Sequence, residues 1–189
     1  AGEKITQSFR LEVQNKGGHS STPEPDNAIY RLADALGRLA RFSFPMKLSP
    51  VTRAYFEFLA GTENPRVAED IRAILRDPPD PDAQSRLWKA SAGYNASVRT
   101  TCVATELEGG HARNALPQRA RATVNCRILP GETLDSVKAH VLKALGDPRI
   151  QAEWRGQEDG APASPLRPDL LAALERSTQA VWPGCPVIP

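Results

Sequence analysis

Three polar side chains in this sequence are of the types that grip a carboxylate and polarise the carbonyl beside it: His19, Asn114 and Arg127. A guanidinium fork and a neutral amide hold a carboxylate and an adjacent C=O. An imidazole placed near them donates to an oxyanion as it develops. His19 stands in Gly17-Gly18-His19-Ser20-Ser21-Thr22-Pro23, where two glycines let the backbone turn through φ > 0 or approach another surface closely. Pro23 stops a strand from continuing. Asn114 precedes Leu116-Pro117 in a turn, and Arg127 follows 13 residues later, late in a strand. Each also has a purely structural reading, as a glycine turn before a helix cap, a turn asparagine and an exposed strand arginine. Taken by themselves these residues describe an α+β domain of undetermined function.

The elements that must position them follow from periodicity. Residues 5–15 alternate, with Phe9, Leu11 and Val13 on one face and Ser8, Arg10, Glu12 and Gln14 on the other. Ile29, Leu32, Ala33, Leu36, Leu39 and Ala40 then recur at helical spacing, and the helix start is expected at Thr22-Pro23 or Pro25-Asp26. Residues 46–97 break this rhythm and read as a helical insert: short helices over 51–59, 67–75 and 83–90, with Trp88, Tyr55, Phe56 and Phe58 as its private core. Strand character returns at 98–107 and again, most clearly, at 118–129. There Ala120, Ala122, Val124, Cys126 and Ile128 take one face, and Arg119, Arg121, Thr123, Asn125 and Arg127 the other. Thr133 caps a helix carrying Leu134, Val137, Val141, Leu142 and Leu145; Gly146 and Pro148 close it, and Ile150, Ala152 and Trp154 form a last short strand. This order predicts an α+β fold, a four-stranded antiparallel sheet with two helices on one face in a ferredoxin-like βαββαβ arrangement. Its open face and unpaired edges call for a partner. Residues 1–157 form this domain, Asp159–Pro165 reads as a linker, and 168–181 as one further helix that the sandwich cannot bury.

Composition excludes several function classes. With 40% hydrophobic and 24% charged residues the chain is globular, and a net charge of +2 with no basic cluster gives no case for nucleic acid. No apolar run approaches the roughly 18 residues that span a bilayer. Three cysteines without CxxC spacing argue against a disulfide framework and against a cysteine zinc site, so Cys102 and Cys126 read as small apolar fillers within strands. His140 reads as a surface residue of its helix and His111 as a loop residue.

The string Gly-Gly-His19-Ser-Ser-x-Pro, followed by a helix opening Asn27-Ala28-Ile29, resembles the dimerisation (lid) domain of the dinuclear zinc exopeptidases and aminoacylases, the M20 metallopeptidases. Asn114-Ala115-Leu116-Pro117 followed by Ala122 to Gly131 is similar to the second signature of that domain, and Gly2-Glu3-Lys4 to the point where the chain leaves the catalytic domain. The insert makes the chain most similar to the carboxypeptidase S and N-acyl-amino-acid hydrolase branch. The resemblance implies a homodimer formed through an edge strand and the first helix. It also implies that His19 stabilises the oxyanion in the partner subunit's active site while Asn114 and Arg127 bind a small peptide or N-acyl amino acid there. It implies two zinc ions in the parent enzyme, with all ligands outside this chain, since neither a His-x-Asp nor a Glu-Glu occurs. Residues 158–189 then read as the return into a catalytic domain, both ends as cut, and this piece alone as inactive. The competing reading is a stand-alone ferredoxin-like module that binds a small ligand or another protein on its open face without catalysis.

Overall fold

The computed structural model describes residues 3–156 and 162–188. The expected boundary at 157 and the Asp159–Ala161 part of the expected linker lie outside them. In chain order the elements are β1 (Ile5–Gln14), β2 (Gly18–His19), α1 (Ala28–Arg41), α2 (Pro50–Thr62), α3 (Pro65–Ile74), α4 (Pro81–Ala90), α5 (Ala92–Val98), β3 (Thr101–Gly109), β4 (Ala115–Leu116), β5 (Arg119–Ile128), α6 (Leu134–Leu145), β6 (Gln151–Trp154) and α7 (Pro168–Val181). They divide into two compact units, Lys4–Pro45 with Thr100–Ala161, and Ala1–Glu3 with Met46–Arg99 and Pro162–Pro189.

The first unit is a mixed α+β sandwich. Its four-stranded antiparallel sheet has the order β3-β5-β1-β6. β1 and β5 pair over ten residues, from Ile5↔Ile128 to Gln14↔Arg119, so Phe9, Leu11 and Val13 share a face with Val124, Ala122 and Ala120. That face is buried in one core with Leu32 and Leu39 of α1 and Val137, Val141 and Leu145 of α6. Each such side chain contributes roughly 1.5–3 kcal/mol by leaving water.

The helix ends differ from expectation in one place. α1 begins later than either expected proline, because Asn27 caps it by accepting from the amides of Ile29 and Tyr30. Its buried stripe is Ala28, Leu32, Ala35 and Leu39, while Ile29 and Ala33 face out. α6 ends as expected, with Gly146 at φ 60° donating to the Leu142 carbonyl.

The cysteine expectation is overturned. Cys102 and Cys126 are directly opposed across β3 and β5 and form a disulfide, leaving Cys185 as the free cysteine. An odd cysteine count argues against a framework of several bridges, but it says nothing about two cysteines that strand register sets face to face.

The second unit contains the helical insert. Three of its helices open with the same pair, a capping side chain followed by proline: Ser49-Pro50, Asn64-Pro65 and Asp80-Pro81. Ser91 caps a fourth, α5, whose last residue, Val98, was expected to open a strand. Phe56, Ile71, Ile74, Leu87 and Val98 form a separate core. Trp88 does not belong to it: the ring is 40% exposed, with the Arg99 guanidinium 5.8 Å from its centroid. α7 covers the expected 168–181, and none of its residues is buried.

The register predicts the thiol chemistry. Alkylation of the unreduced protein followed by mass spectrometry should label Cys185 alone. Replacing Cys102 and Cys126 by serine should lower stability by about 2–4 kcal/mol in denaturant titrations.

Candidate functional site

Beyond the end of β1, Asn15 donates its backbone N–H to Gln118, and its side chain accepts from Gly17. Gly17 has φ +76°, and a Cβ there would lie 2.6 Å from Gln118 Cγ and 3.3 Å from the Leu116 carbonyl oxygen. Glycine is thus required twice over, for its dihedral and for close approach. This turn feeds β2, which pairs antiparallel with β4 as Gly18↔Leu116 and His19↔Ala115. Ser20 then donates to the Asn114 carbonyl at 3.0 Å. Two residues 95 positions apart in sequence, His19 and Asn114, are therefore neighbours on a two-stranded outgrowth of the sandwich, and both are exposed.

Backbone and hydroxyl groups hold the imidazole. Its Nδ1 lies 2.7 Å from Ser21 Oγ and accepts from the Ser21 amide at 3.2 Å. The Thr22 amide and hydroxyl both donate to the His19 carbonyl, at 3.1 and 3.2 Å. Ser21 has a place in this arrangement that the sequence reading did not give it. Its signal was a hydroxyl two residues after the histidine, the spacing of a local side chain-to-backbone turn.

Arg127 is elsewhere. It is exposed on the open face of the sheet, donates to Thr6 Oγ1 and stands opposite Thr6 and Thr101 in the register. From Arg119, at the turn end of β5, to Arg127 is eight residues, or about 27 Å of strand. The structure thus brings His19 and Asn114 together and sets Arg127 at the far end of the sheet.

Lys4, which the sequence reading named only as part of the exit from a catalytic domain, is perturbed chiefly by burial. Burial pushes its ammonium down to about 8, with Glu132 opposing the shift and Arg127 adding to it. Of the two histidines set aside, His111 is exposed beside a cleft of about 530 Å³ with Gln14, Glu108, Gln118 and Arg119. His140 is half-buried, with Nδ1 2.8 Å from the Ser136 carbonyl and its ring against Phe42 and Phe44, so it is less of a surface residue than expected. Among the described residues no three His, Cys, Asp or Glu side chains converge as metal ligands, so these residues do not fit a zinc centre. Among them too, no helix is long and apolar enough to cross a membrane.

Residues 1–153 match the family model described as the peptidase dimerisation domain, M20_dimer. The chain is 31% identical over 185 residues to human N-fatty-acyl-amino acid synthase/hydrolase PM20D1, covering 96% of this chain and 36% of that protein. It is also 31% identical over 151 residues to a probable carboxypeptidase S-like 2 of Dictyostelium discoideum, covering 79% and 28%. It thus spans about a third of the length of the curated relatives it matches. Aminopeptidase PepT of Bacillus cereus shares the fold, with a TM-score of 0.50 at 12% identity over 94% of this chain and 35% of that one.

Two expectations follow from the site. Gly17→Ala should destabilise the protein by at least about 1 kcal/mol in urea, since the native φ disfavours any Cβ. Lys4 should make stability rise with pH between about 8 and 10.5, its ordinary value, because across that window the unfolded chain binds the extra proton. Comparing urea midpoints of wild type and Lys4→Gln across those pH values isolates the contribution, which the variant should lack.

Proposed function

The chain belongs to the M20 peptidase dimerisation domain family, and we propose that it serves as the lid and dimerisation domain of a metal-dependent carboxypeptidase or N-acyl-amino-acid amidohydrolase. The observation that carries this reading is the pairing of β2 with β4. It holds His19 and Asn114 side by side and outward on a rigid turn. A group so presented meets a substrate bound to another surface. N-fatty-acyl amino acids and the C-termini of peptides, the substrates named for the relatives, share an amide next to a free carboxylate. His19 donates to the oxyanion that forms on the amide carbonyl, Asn114 orients the substrate beside it, and Arg127 grips the carboxylate. The zinc of the parent enzyme is assigned to residues outside this chain.

The length of the sheet divides these roles. The carboxylate and the amide of such a substrate lie within one residue of each other, less than about 4 Å of extended chain. With about 27 Å of strand between Arg127 and Arg119 at the turn end of β5, one lid is poorly placed to bring both His19 and Arg127 to the same substrate. In a two-fold dimer each substrate meets the His19 and Asn114 of one lid and an Arg127 that is not from that lid.

The edge of the sheet supports the dimer. The strand order and the core shared by α1 and α6 support a ferredoxin-like reading, in which β3 is the long outer strand. Leu107 is 66% exposed, and beside it α1 presents Tyr30 at 67% and Ile29, whose Cγ1 sits where Gly109 lacks a Cβ. An unpaired nine-residue edge next to an apolar helix face is a template for pairing with a second copy.

Sedimentation equilibrium should find a dimer, shifted toward monomer by Leu107→Glu or Tyr30→Glu. In the full-length enzyme His19→Ala should lower kcat about 10²–10³-fold. A strict monomer with full activity, or a His19→Ala enzyme with unchanged kcat, contradicts the reading.

A further inference from the structure

The geometry around His19 points to Ser21 as the positioning residue that fixes which nitrogen of the imidazole carries the proton. The inference rests on the reading of His19 as an oxyanion donor and deepens it. A backbone N–H can only donate, so the Ser21 amide, 3.2 Å from His19 Nδ1, meets a lone pair there. With Nδ1 an acceptor, the neutral ring carries its proton on Nε2. Ser21 Oγ, 2.7 Å from the same nitrogen, then has one compatible orientation, its O–H donating to Nδ1. One residue thus supplies two donors to Nδ1, and among the described residues no hydrogen-bond partner engages Nε2.

The alternative use of a serine and a histidine this close, a nucleophile and its base, is disfavoured by the same contacts. A base that accepts from the serine hydroxyl is normally held from its other nitrogen by a third group, whereas here the Ser21 amide competes for the same lone pair. The arrangement makes His19 a hydrogen-bond donor. The backbone holds the turn in register independently, through the Thr22 bonds to the His19 carbonyl and the Ser20 bond to Asn114. Removing the Ser21 hydroxyl therefore changes what Nδ1 receives without undoing β2.

The test combines a spectroscopic readout with kinetics on the full-length enzyme. In protein labelled with ¹⁵N-histidine and held in alkaline buffer, where the imidazole carries one proton, His19 should show Nε2 protonated and Nδ1 as a hydrogen-bonded acceptor. Ser21→Ala should move the Nδ1 resonance toward that of an unbonded nitrogen. It should also lower kcat about fivefold, the weight of one ordinary hydrogen bond, with KM little changed. Ser21→Thr, which keeps the hydroxyl, should restore both. A wild-type ring protonated on Nδ1, or a Nδ1 resonance indifferent to Ser21→Ala, overturns the assignment whatever the activity. A resonance that moves while kcat does not, in an enzyme that His19→Ala disables, also overturns it, since the amide alone would then suffice. If His19→Ala leaves kcat intact, the oxyanion reading fails, and the spectra still decide whether Ser21 fixes the proton.

Discussion

The ten-residue antiparallel register between β1 and β5 is the constraint on which the rest of the sandwich depends. Side chains alternate along a strand, so sliding β1 by one residue would put Phe9, Leu11 and Val13 in water and Arg10 and Glu12 into the core. On the outer face the same register sets Glu12 against Arg121 at 2.6 Å and Ser8 against Asn125 at 3.1 Å. The core fixes the register far more strongly than these half-exposed pairs do, since such ion pairs contribute about 1 kcal/mol or less. With the register fixed, everything at the two ends of the sheet is fixed too. At one end Asn15 meets Gln118, Gly17 closes on Leu116, and His19 comes to rest beside Asn114. At the other, Thr6 lies opposite Arg127.

What could be read from the sequence was what local periodicity encodes. The alternation of 119–127, the amphipathic stripe of α6 with Thr133 and Gly146 at its ends, and the helical character of the insert all depend on residues a few positions apart. What escaped was non-local, or a competition between two local signals. Asn27 outcompeted the prolines before it as the cap of α1 because its side chain reaches two amides. The Cys102–Cys126 bridge was illegible because each cysteine, taken alone, is an ordinary small strand residue, and only the pairing of β3 with β5 opposes them. Trp88 looked like core by type, yet it stays 40% exposed with Arg99 over its ring. The candidate site divides along the same line. The glycine turn was legible, but its pairing with β4 and the Ser21 contacts to His19 were not. The distance of Arg127 from that turn required knowing that the strand carrying it runs away from Asn114.

The insert and the sandwich have independent cores, and this separates their physical duties. The sandwich is one sheet face closed by two helices, with its other face left polar. The insert is stabilised by caps and by its own apolar centre, with Asp70 and Arg86 paired at its edge.

On this reading His19 and Arg127 of one chain serve different active sites. The most direct measurement is complementation between two disabled full-length enzymes, His19→Ala and Arg127→Ala, mixed in equal amounts and allowed to exchange subunits. If the residues serve different sites, each hybrid dimer contains one site with both residues intact. Activity should then recover to about a quarter of wild type, since half the dimers are hybrids with one working site of two. If one lid delivers both residues to a single site, every site in every hybrid lacks one of them. Activity would then stay at the level of the separate variants, and the division of roles along the sheet would be wrong.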